Sequence, residues 1–399
     1  MNQPGVSCVN RRVLLKIIAA TTLIGCGTRG HAAKGLRVVV VGAGIIGASI
    51  AYHLSKSGAS VTVIDQEGPA SHASRGTFAW INATWAKQPR AYHKFSQDSL
   101  SNWITLQEEL GIPIRWNGSL EWFEEQERQE RLRAQIDEQV EWGENARIVT
   151  ASELSALEPD VNFGAAQGVA FSENDGAVDP VLATNTFLAA AQELGATVEY
   201  PCELTDVALA AGRVTHVDTT AGRFEADKVV LATGAAPDAP RRFADSDFPQ
   251  RSTPGIIAVT APMPQLLRRI LSAPGIHMHQ RDDGRVVLGE QDGAPQNEAH
   301  ALRLEGRPNN FPAREIAYQH AERMMSVAEG FLPGIAGAEI ENAYIGWRPL
   351  PLDGHPVLGF SPARPDVYLA VMHSGVSLAP IVGQLAALEL IEGMAVDQL

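Results

Sequence analysis

Residues 36–66 read LRVVVVGAGIIGASIAYHLSKSGASVTVIDQ, a strand, a glycine-rich turn, a helix and a second strand in succession. The run from Arg37 to Val41 is β-branched and apolar on both faces, so it belongs in the middle of a covered parallel sheet. It ends directly in Gly42, Ala43, Gly44, Ile45, Ile46 and Gly47, a G-x-G-x-x-G pattern in the strand-to-helix setting that the pattern requires. Gly42 permits the tight turn, Gly44 lets the backbone approach a pyrophosphate, and Gly47 lets the helix close on the sheet. The free N–H groups of the helix start then point at the phosphates. Gly58 is the expected left-handed stop. Asp65, at the end of the second strand, stands where a carboxylate accepts a ribose 2′-hydroxyl and repels a 2′-phosphate. These features agree in register, which predicts a dinucleotide site and leaves both FAD and NAD open.

At 399 residues the chain is too long for one simple core, and two intertwined domains are expected. Its apolar content of 45% with 20% charged residues suits an ordinary globular protein. The formal net charge of −14 disfavours nucleic acid or an anionic membrane surface as a partner. Three cysteines, Cys8, Cys26 and Cys202, make no disulfide framework, and Cys202 reads as a small buried residue. No cysteine or histidine cluster has metal-ligand spacing, so no metal is expected.

Residues 1–34 read as an export segment. Asn10, Arg11, Arg12, Val13, Leu14, Leu15 and Lys16 form a twin-arginine pattern, followed by a mildly apolar run at 17–26 too short to span a bilayer. A basic N-terminal tail is the plainer alternative. Cleavage after Ala32 would remove four basic residues and no acid, taking the net charge from −14 to −18. Leu23, Ile24, Gly25 and Cys26 instead resemble a lipoprotein box, with a lipid anchor on Cys26. The expected location is periplasmic, either released or membrane-attached. Twin-arginine export carries folded proteins, which suits a chain that acquires its cofactor before leaving the cytoplasm.

Beyond the second strand, residues 69–80 form a small, polar loop returning toward the nucleotide, with Ser74 and Arg75 able to bond phosphate or hydroxyl groups. A helix is expected over Arg90–Leu110, a strand at 114–123, and a charged surface helix at 124–140. A helix from Val181, a strand at 197–200 and a buried strand at 224–233 follow. Residues 256–290 read as a separate, largely antiparallel sheet, the substrate half. The chain closes with a strand at Val367–Val371 and a helix from Ser377, taken as its N-cap, with Pro380 in the first turn. The glycine before it makes a second anion or dipole site.

Together these pieces resemble the FAD-dependent D-amino-acid oxidase superfamily, in particular bacterial members related to D-amino-acid dehydrogenase, glycine oxidase and sarcosine oxidase. The motifs are VVVVGAGIIGASIAYHL, the acid of VTVIDQ, the VDP before the helix at Val181, KVVLATGA, GWRPLPLDGHPVLG and the terminal HSGVSLAP, in the family's order across residues 36–392. The resemblance implies an α/β fold, a Rossmann-like FAD-binding domain (35–90, 165–245 and 340–399) with an interleaved antiparallel-sheet substrate domain (91–164 and 246–339). It implies FAD, with Gly42, Gly44, Ile45, Ile46, Gly47, Asp65 and Gln66 on the ADP half, Ser74 and Arg75 in the following loop, Thr233 and Gly234 in the ATG, and Gly375, Val376 and Ser377 beside the isoalloxazine. Arg348 matches the arginine that pairs with a substrate carboxylate, and His373 adjoins the flavin. Trp347 stands where a smaller aliphatic residue is usual, and no counterpart is found for the active-site tyrosine of some members.

The implied activity is oxidation of the carbon–nitrogen bond of a D-amino acid, glycine, sarcosine or related amine by hydride transfer to flavin, with oxygen or a quinone as electron acceptor. An NAD-dependent dehydrogenase, or a non-catalytic flavin-binding protein on the same fold, is the alternative. Plainer readings stand beside the sharp ones: Arg348 as a structural arginine between domains, and His373 as a satisfied loop histidine. His277 and His279 read as packing residues, and His72 invites a covalent-flavin reading at unsuitable spacing.

Overall fold

The valines of Arg37–Val41 are buried on both faces because this strand is interior to a six-stranded sheet. Across that sheet the strands run Val357–Phe360, Val367–Val371, Lys228–Leu231, Arg37–Val41, Ser60–Ile64 and Thr197–Glu199. Every neighbouring pair is parallel except the first, which is antiparallel. The computed structural model describes residues 35–82, 87–166, 168–291, 311 and 313–393; the twin-arginine segment with Cys8 and Cys26 lies outside them. From Arg37–Val41 the chain moves to one side for its second strand, and Lys228–Leu231 later adds on the other side. The carboxyl ends of these strands therefore face a topological switch point, the usual place for a ligand crevice in an open α/β sheet.

One face of this sheet is covered by the helices Ile45–Lys56, Pro180–Glu193 and Gly375–Glu392, with Ile50, Leu54, Phe187 and Leu378 in a common core. The other face packs Val39, Val229 and Leu231 against Phe243 and a three-stranded meander at Leu204–Ala210, Arg213–Thr219 and Gly222–Glu225. Helix Pro180–Glu193 starts where the VDP motif places it, since the Asp179 carboxylate accepts the N–H groups of Val181 and Leu182, each at 2.9 Å.

The second half is an eight-stranded, largely antiparallel sheet ordered Ile340–Pro351, Gln250–Thr260, Val286–Glu290, Ile276–Gln280, Ile270–Ala273, Ser119–Glu121, Val169–Ser172 and Ala146–Val149. Helix Arg314–Phe331 covers one face, where Ala321, Met324 and Ala328 meet Ile256, Met278 and Leu288. On the opposite face Ile257, Val259 and Val287 meet Phe78, from the loop that leaves the nucleotide sheet. The halves touch closely at two glycines. A Cβ on Gly346 would lie 2.1 Å from the Gly76 carbonyl oxygen, so neither position tolerates a side chain without backbone movement.

Several expected elements take a different form. The strand expected at 114–123 is broken into Ile114–Arg115 and Ser119–Glu121, which join different sheets around Gly118 at φ +78°. The strand expected at 224–233 is also two: Gly222–Glu225 ends the meander, and only Lys228–Leu231 enters the parallel sheet. Helix Arg90–Leu110, assigned in part to the substrate half, buries Phe95, Leu100 and Trp103 in the core of the nucleotide half. Strands Val169–Ser172 and Ile340–Pro351, assigned to the nucleotide half, belong to the eight-stranded sheet.

The terminal helix begins at Gly375 rather than Ser377, after Ser374 in the left-handed region at φ +60°. Ser377 is not its cap: its hydroxyl accepts the Asn82 N–H at 3.0 Å and donates to the Trp80 carbonyl at 3.1 Å. Pro380 consequently lies inside the helix, where it has no N–H for the Val376 carbonyl four residues back. The indole N–H of Trp103 fills that vacancy at 2.9 Å.

Candidate active site

At the switch point a cleft of about 470 Å³ opens between the ends of Arg37–Val41 and Lys228–Leu231. Of the residues expected to hold a cofactor, Gly42, Gly44, Asp65, Gln66, Ser74, Thr233 and Gly234 line it. Gly42 makes its turn at φ +107°, and a Cβ there would meet the Ala232 carbonyl oxygen at 2.3 Å. Asp65 holds the turn from below: its Oδ2 accepts the Ala43 N–H at 2.8 Å, and its Oδ1 accepts those of Glu67 and Gly68 at 2.9 and 2.8 Å. A carboxylate has about four lone-pair sites, which leaves capacity for one hydroxyl. The Ser74 hydroxyl accepts the Ile45 N–H at 3.0 Å, tying the loop to the helix start.

The other expected cofactor residues support the cleft without lining it. Ile45 is buried, Ile46 packs within reach of Gly375, and Gly47 lies against the Gly42 carbonyl. Arg75, expected beside phosphate or flavin hydroxyls, instead places its guanidinium 5.1 Å from the ring centre of Tyr344 in the eight-stranded sheet. His72 lines the cleft beside Gln66 and forms a 3.2 Å contact with Glu67. Cys202 is buried, as expected, and lines the same cleft.

This cleft suits an adenine dinucleotide in size and chemistry. Its glycine turn brings backbone close to any bound phosphate, and the Thr233 hydroxyl is shielded from water with no hydrogen-bond partner among the described residues. A buried hydroxyl left alone is costly, and a ligand oxygen in the cleft would satisfy it.

A second cluster forms at the start of the terminal helix, where Arg348 and His373 come together. Arg348 is half-buried; its Nη2 donates to the Pro254 carbonyl at 3.2 Å while its buried Nε has no hydrogen-bond partner among the described residues. Burial, with the nearby Arg251 charge, disfavours its protonated form. Burial, then the charges of Arg348 and Lys87, push His373 down to about 4, so the imidazole is neutral at physiological pH. Its Nδ1 lies 3.0 Å from the Ser374 hydroxyl, which also meets the Tyr92 side chain. Gly375, Val376 and Ser377 form the helix start beside these groups.

Lys87 and Tyr92 are members of this cluster that sequence reasoning missed. Lys87 occupies an otherwise unremarkable Ala-Lys-Gln-Pro stretch, and Tyr92 sits on the buried stripe of Arg90–Leu110, whose periodicity signals only burial. His277 and His279 are packing residues as expected, with ring centres 5.4 and 4.8 Å from that of Phe78. Burial pushes His279 down to about 3, and its Nε2 lies 3.0 Å from the Phe78 carbonyl oxygen. No group of acids, histidines and cysteines among the described residues is arranged to hold a metal ion.

A family model described as FAD dependent oxidoreductase matches residues 37–388. Glycine oxidase of Bacillus licheniformis is 29% identical over 361 residues, spanning 88% of this chain and 91% of its own. The crystal structure of glycine oxidase from Geobacillus kaustophilus superposes with a TM-score of 0.79 at 24% identity, over 91% of this chain and 96% of that one. L-proline dehydrogenase from P. horikoshii superposes at 0.78 with 21% identity, over 91% and 95%. At these identities the two structures establish a common fold.

Proposed function

The chain belongs to the family of FAD-dependent oxidoreductases, and from that premise we propose that it oxidises the carbon–nitrogen bond of an amino acid or a secondary amine bearing a carboxylate. The observation that carries this reading is Arg348, a half-buried guanidinium with an unfilled edge beside the start of the terminal helix. A guanidinium fork matches a carboxylate in both geometry and charge. Gly42, Gly44, Asp65, Ser74 and Thr233 would hold the FAD, which when bound accepts a hydride from the carbon next to the substrate amine and leaves an imine for water to hydrolyse. Arg348 orients the substrate by its carboxylate. Neutral His373 is able to accept a hydrogen bond from the amine without repelling it. Oxygen or a quinone-type carrier would then take the electrons, and oxygen uptake during turnover distinguishes the two.

Anaerobic titration tests the reading. The purified, flavin-loaded chain is mixed with glycine, sarcosine, proline and D-amino acids, and the visible flavin band is followed. At least one carboxylated amine is expected to bleach it; a protein without flavin bands, or one that no amine reduces, removes the proposal.

We also propose export through the twin-arginine motif, on the pattern at Asn10–Lys16 and the small residues before Ala33. Changing Arg11→Lys and Arg12→Lys together is expected to hold the protein in the cytoplasm, as cell fractionation would show. Undiminished periplasmic protein from the double variant would refute the motif.

A further inference from the structure

The first turn of the terminal helix Gly375–Glu392 is held by side chains of two other helices. Its N-cap, Ser374, makes no side-chain capping bond, and Pro380 offers no N–H to the Val376 carbonyl. The indole N–H of Trp103 donates to that carbonyl at 2.9 Å, and the Ser99 hydroxyl donates to the next one, that of Ser377, at 2.6 Å. Ser99 and Trp103 are four residues apart on helix Arg90–Leu110, so both project from one face of it. The Ser49 hydroxyl, from helix Ile45–Lys56, donates to the Ala379 carbonyl at 2.7 Å. Ser49, Ser99 and Trp103 are all fully buried.

The Val376 carbonyl differs from the other two, because the residue four positions on is a proline and the helix ladder has no donor for it. Its donor among the described residues is Trp103, 273 residues earlier in the chain. A buried carbonyl without a donor is costly, and the Pro380 ring crowds the same oxygen, so the placing of the first turn depends on Trp103. That turn stands against the nucleotide site. A Cβ on Gly375 would lie 3.4 Å from Cγ1 of Ile46 and 3.9 Å from Cγ2 of Ile45, at the start of the helix that follows the glycine turn. Strand Val367–Val371, which leads into the terminal helix, lies parallel beside Lys228–Leu231, whose carboxyl end runs on to Thr233 and Gly234 of the cleft. Two helix starts thus lie side by side at the carboxyl ends of the parallel strands. An uncapped start carries free N–H groups and the positive end of a dipole, which favour an electron-rich group opposite.

We propose that Trp103 is a positioning residue for the flavin: through its bond to the Val376 carbonyl it fixes the first turn of the terminal helix so that the N–H groups of Gly375, Val376 and Ser377 face the ring system of bound FAD. Trp103 does not line the cleft and acts only through that turn. The inference rests on the cofactor of the family and not on the substrate reading above. N–H groups held toward the ring favour its reduced, electron-rich form, so their placement bears on both FAD affinity and reduction potential.

The test introduces Trp103→Phe into the full chain twice, once into wild type and once into Pro380→Ala, which restores a backbone N–H four residues after Val376. FAD dissociation constants, reduction potentials taken with a chemical reductant and reference dyes, and Tm are measured for each. In wild type, Trp103→Phe is expected to raise the FAD dissociation constant at least five-fold and to shift the potential to more negative values. In the Pro380→Ala background the same change is expected to have less than half that effect on both, because the carbonyl keeps a donor. Its cost in Tm is expected in both backgrounds, since the volume of the indole is lost in each. Unchanged affinity and potential in Trp103→Phe overturn the proposal. Equal losses in the two backgrounds also overturn it, because they trace the effect to packing volume and not to the donor. If Trp103→Phe yields no flavin-loaded protein, recovery of loaded protein in the double variant supports the proposal, and failure there too overturns it. None of these measurements needs a substrate, so a flavin that no amine reduces removes the amine-oxidation reading and leaves this inference standing.

Discussion

Arg348→Ala is expected to remove roughly 3 to 5 kcal/mol of transition-state binding for a carboxylated amine, seen mainly as a raised KM in steady-state kinetics. The magnitude follows from stranding a substrate carboxylate in a site withdrawn from water, opposite no cation. Arg348 lies in Ile340–Pro351, in register with Thr253 of the neighbouring strand, and the following Pro349 holds its backbone extended. Gly255 lies beside the guanidinium stem, where a Cβ would make an ordinary van der Waals contact with Nε at 3.7 Å. The group is thus carried on a rigid base, and removing it takes away a placed charge without disturbing the strand. Arg348→Lys is expected to recover only part, because a point charge does not reproduce a fork. If Arg348 served only to join the two halves, Arg348→Ala would lower Tm and flavin content together. Unchanged kcat/KM in a folded, flavin-loaded variant would leave an uncarboxylated amine as the substrate.

Gly346→Ala is expected to destabilise the protein by about 3 kcal/mol, the upper end of the usual cost of overpacking. The added carbon would sit 2.1 Å from the Gly76 carbonyl oxygen and 2.7 Å from its carbon, both of them backbone atoms that no rotamer change can move aside. The reciprocal change fares no better, since a Cβ on Gly76 meets the Gly346 Cα and N at 2.5 Å. Because Gly76 closes the loop that carries Ser74, and Gly346 lies two residues before Arg348, the strain reaches the cleft and the cationic cluster together. The measurement is Tm alongside the flavin-to-protein ratio. A variant that melts with wild type and retains its flavin would show that this glycine crossing opens at little cost.

The nucleotide half was legible because its signals are local. A β-branched run, a turn that only glycine tolerates, a small-residue helix face and a terminal acid all occur within residues 36–66, and their spacing follows from backbone geometry. Strand breaks were less legible: at 114–123 and 224–233 the apolar pattern continues while the chain changes sheets, and pattern alone does not report which neighbour a strand pairs with. The start of the terminal helix was misplaced for a related reason. Pro380 argues for a first-turn position until Trp103, from a helix far earlier in the chain, supplies the missing donor to Val376.

Arg348 and His373 stood out in the sequence through the motifs that contain them, whereas Lys87 had no such motif. Its charge reads as a solvated surface lysine until Asn82, Ser377 and the terminal helix hold it near His373. Sequence by itself determined the cofactor-binding unit, the presence of a second sheet and the family of the chain, all of which depend on short-range periodicity and on motif order. Tertiary structure alone decided which cations act on His373, because that depends on the crossing of segments some 260 to 290 residues apart in the chain, where burial and the field of one charge on another are set by packing and not by spacing.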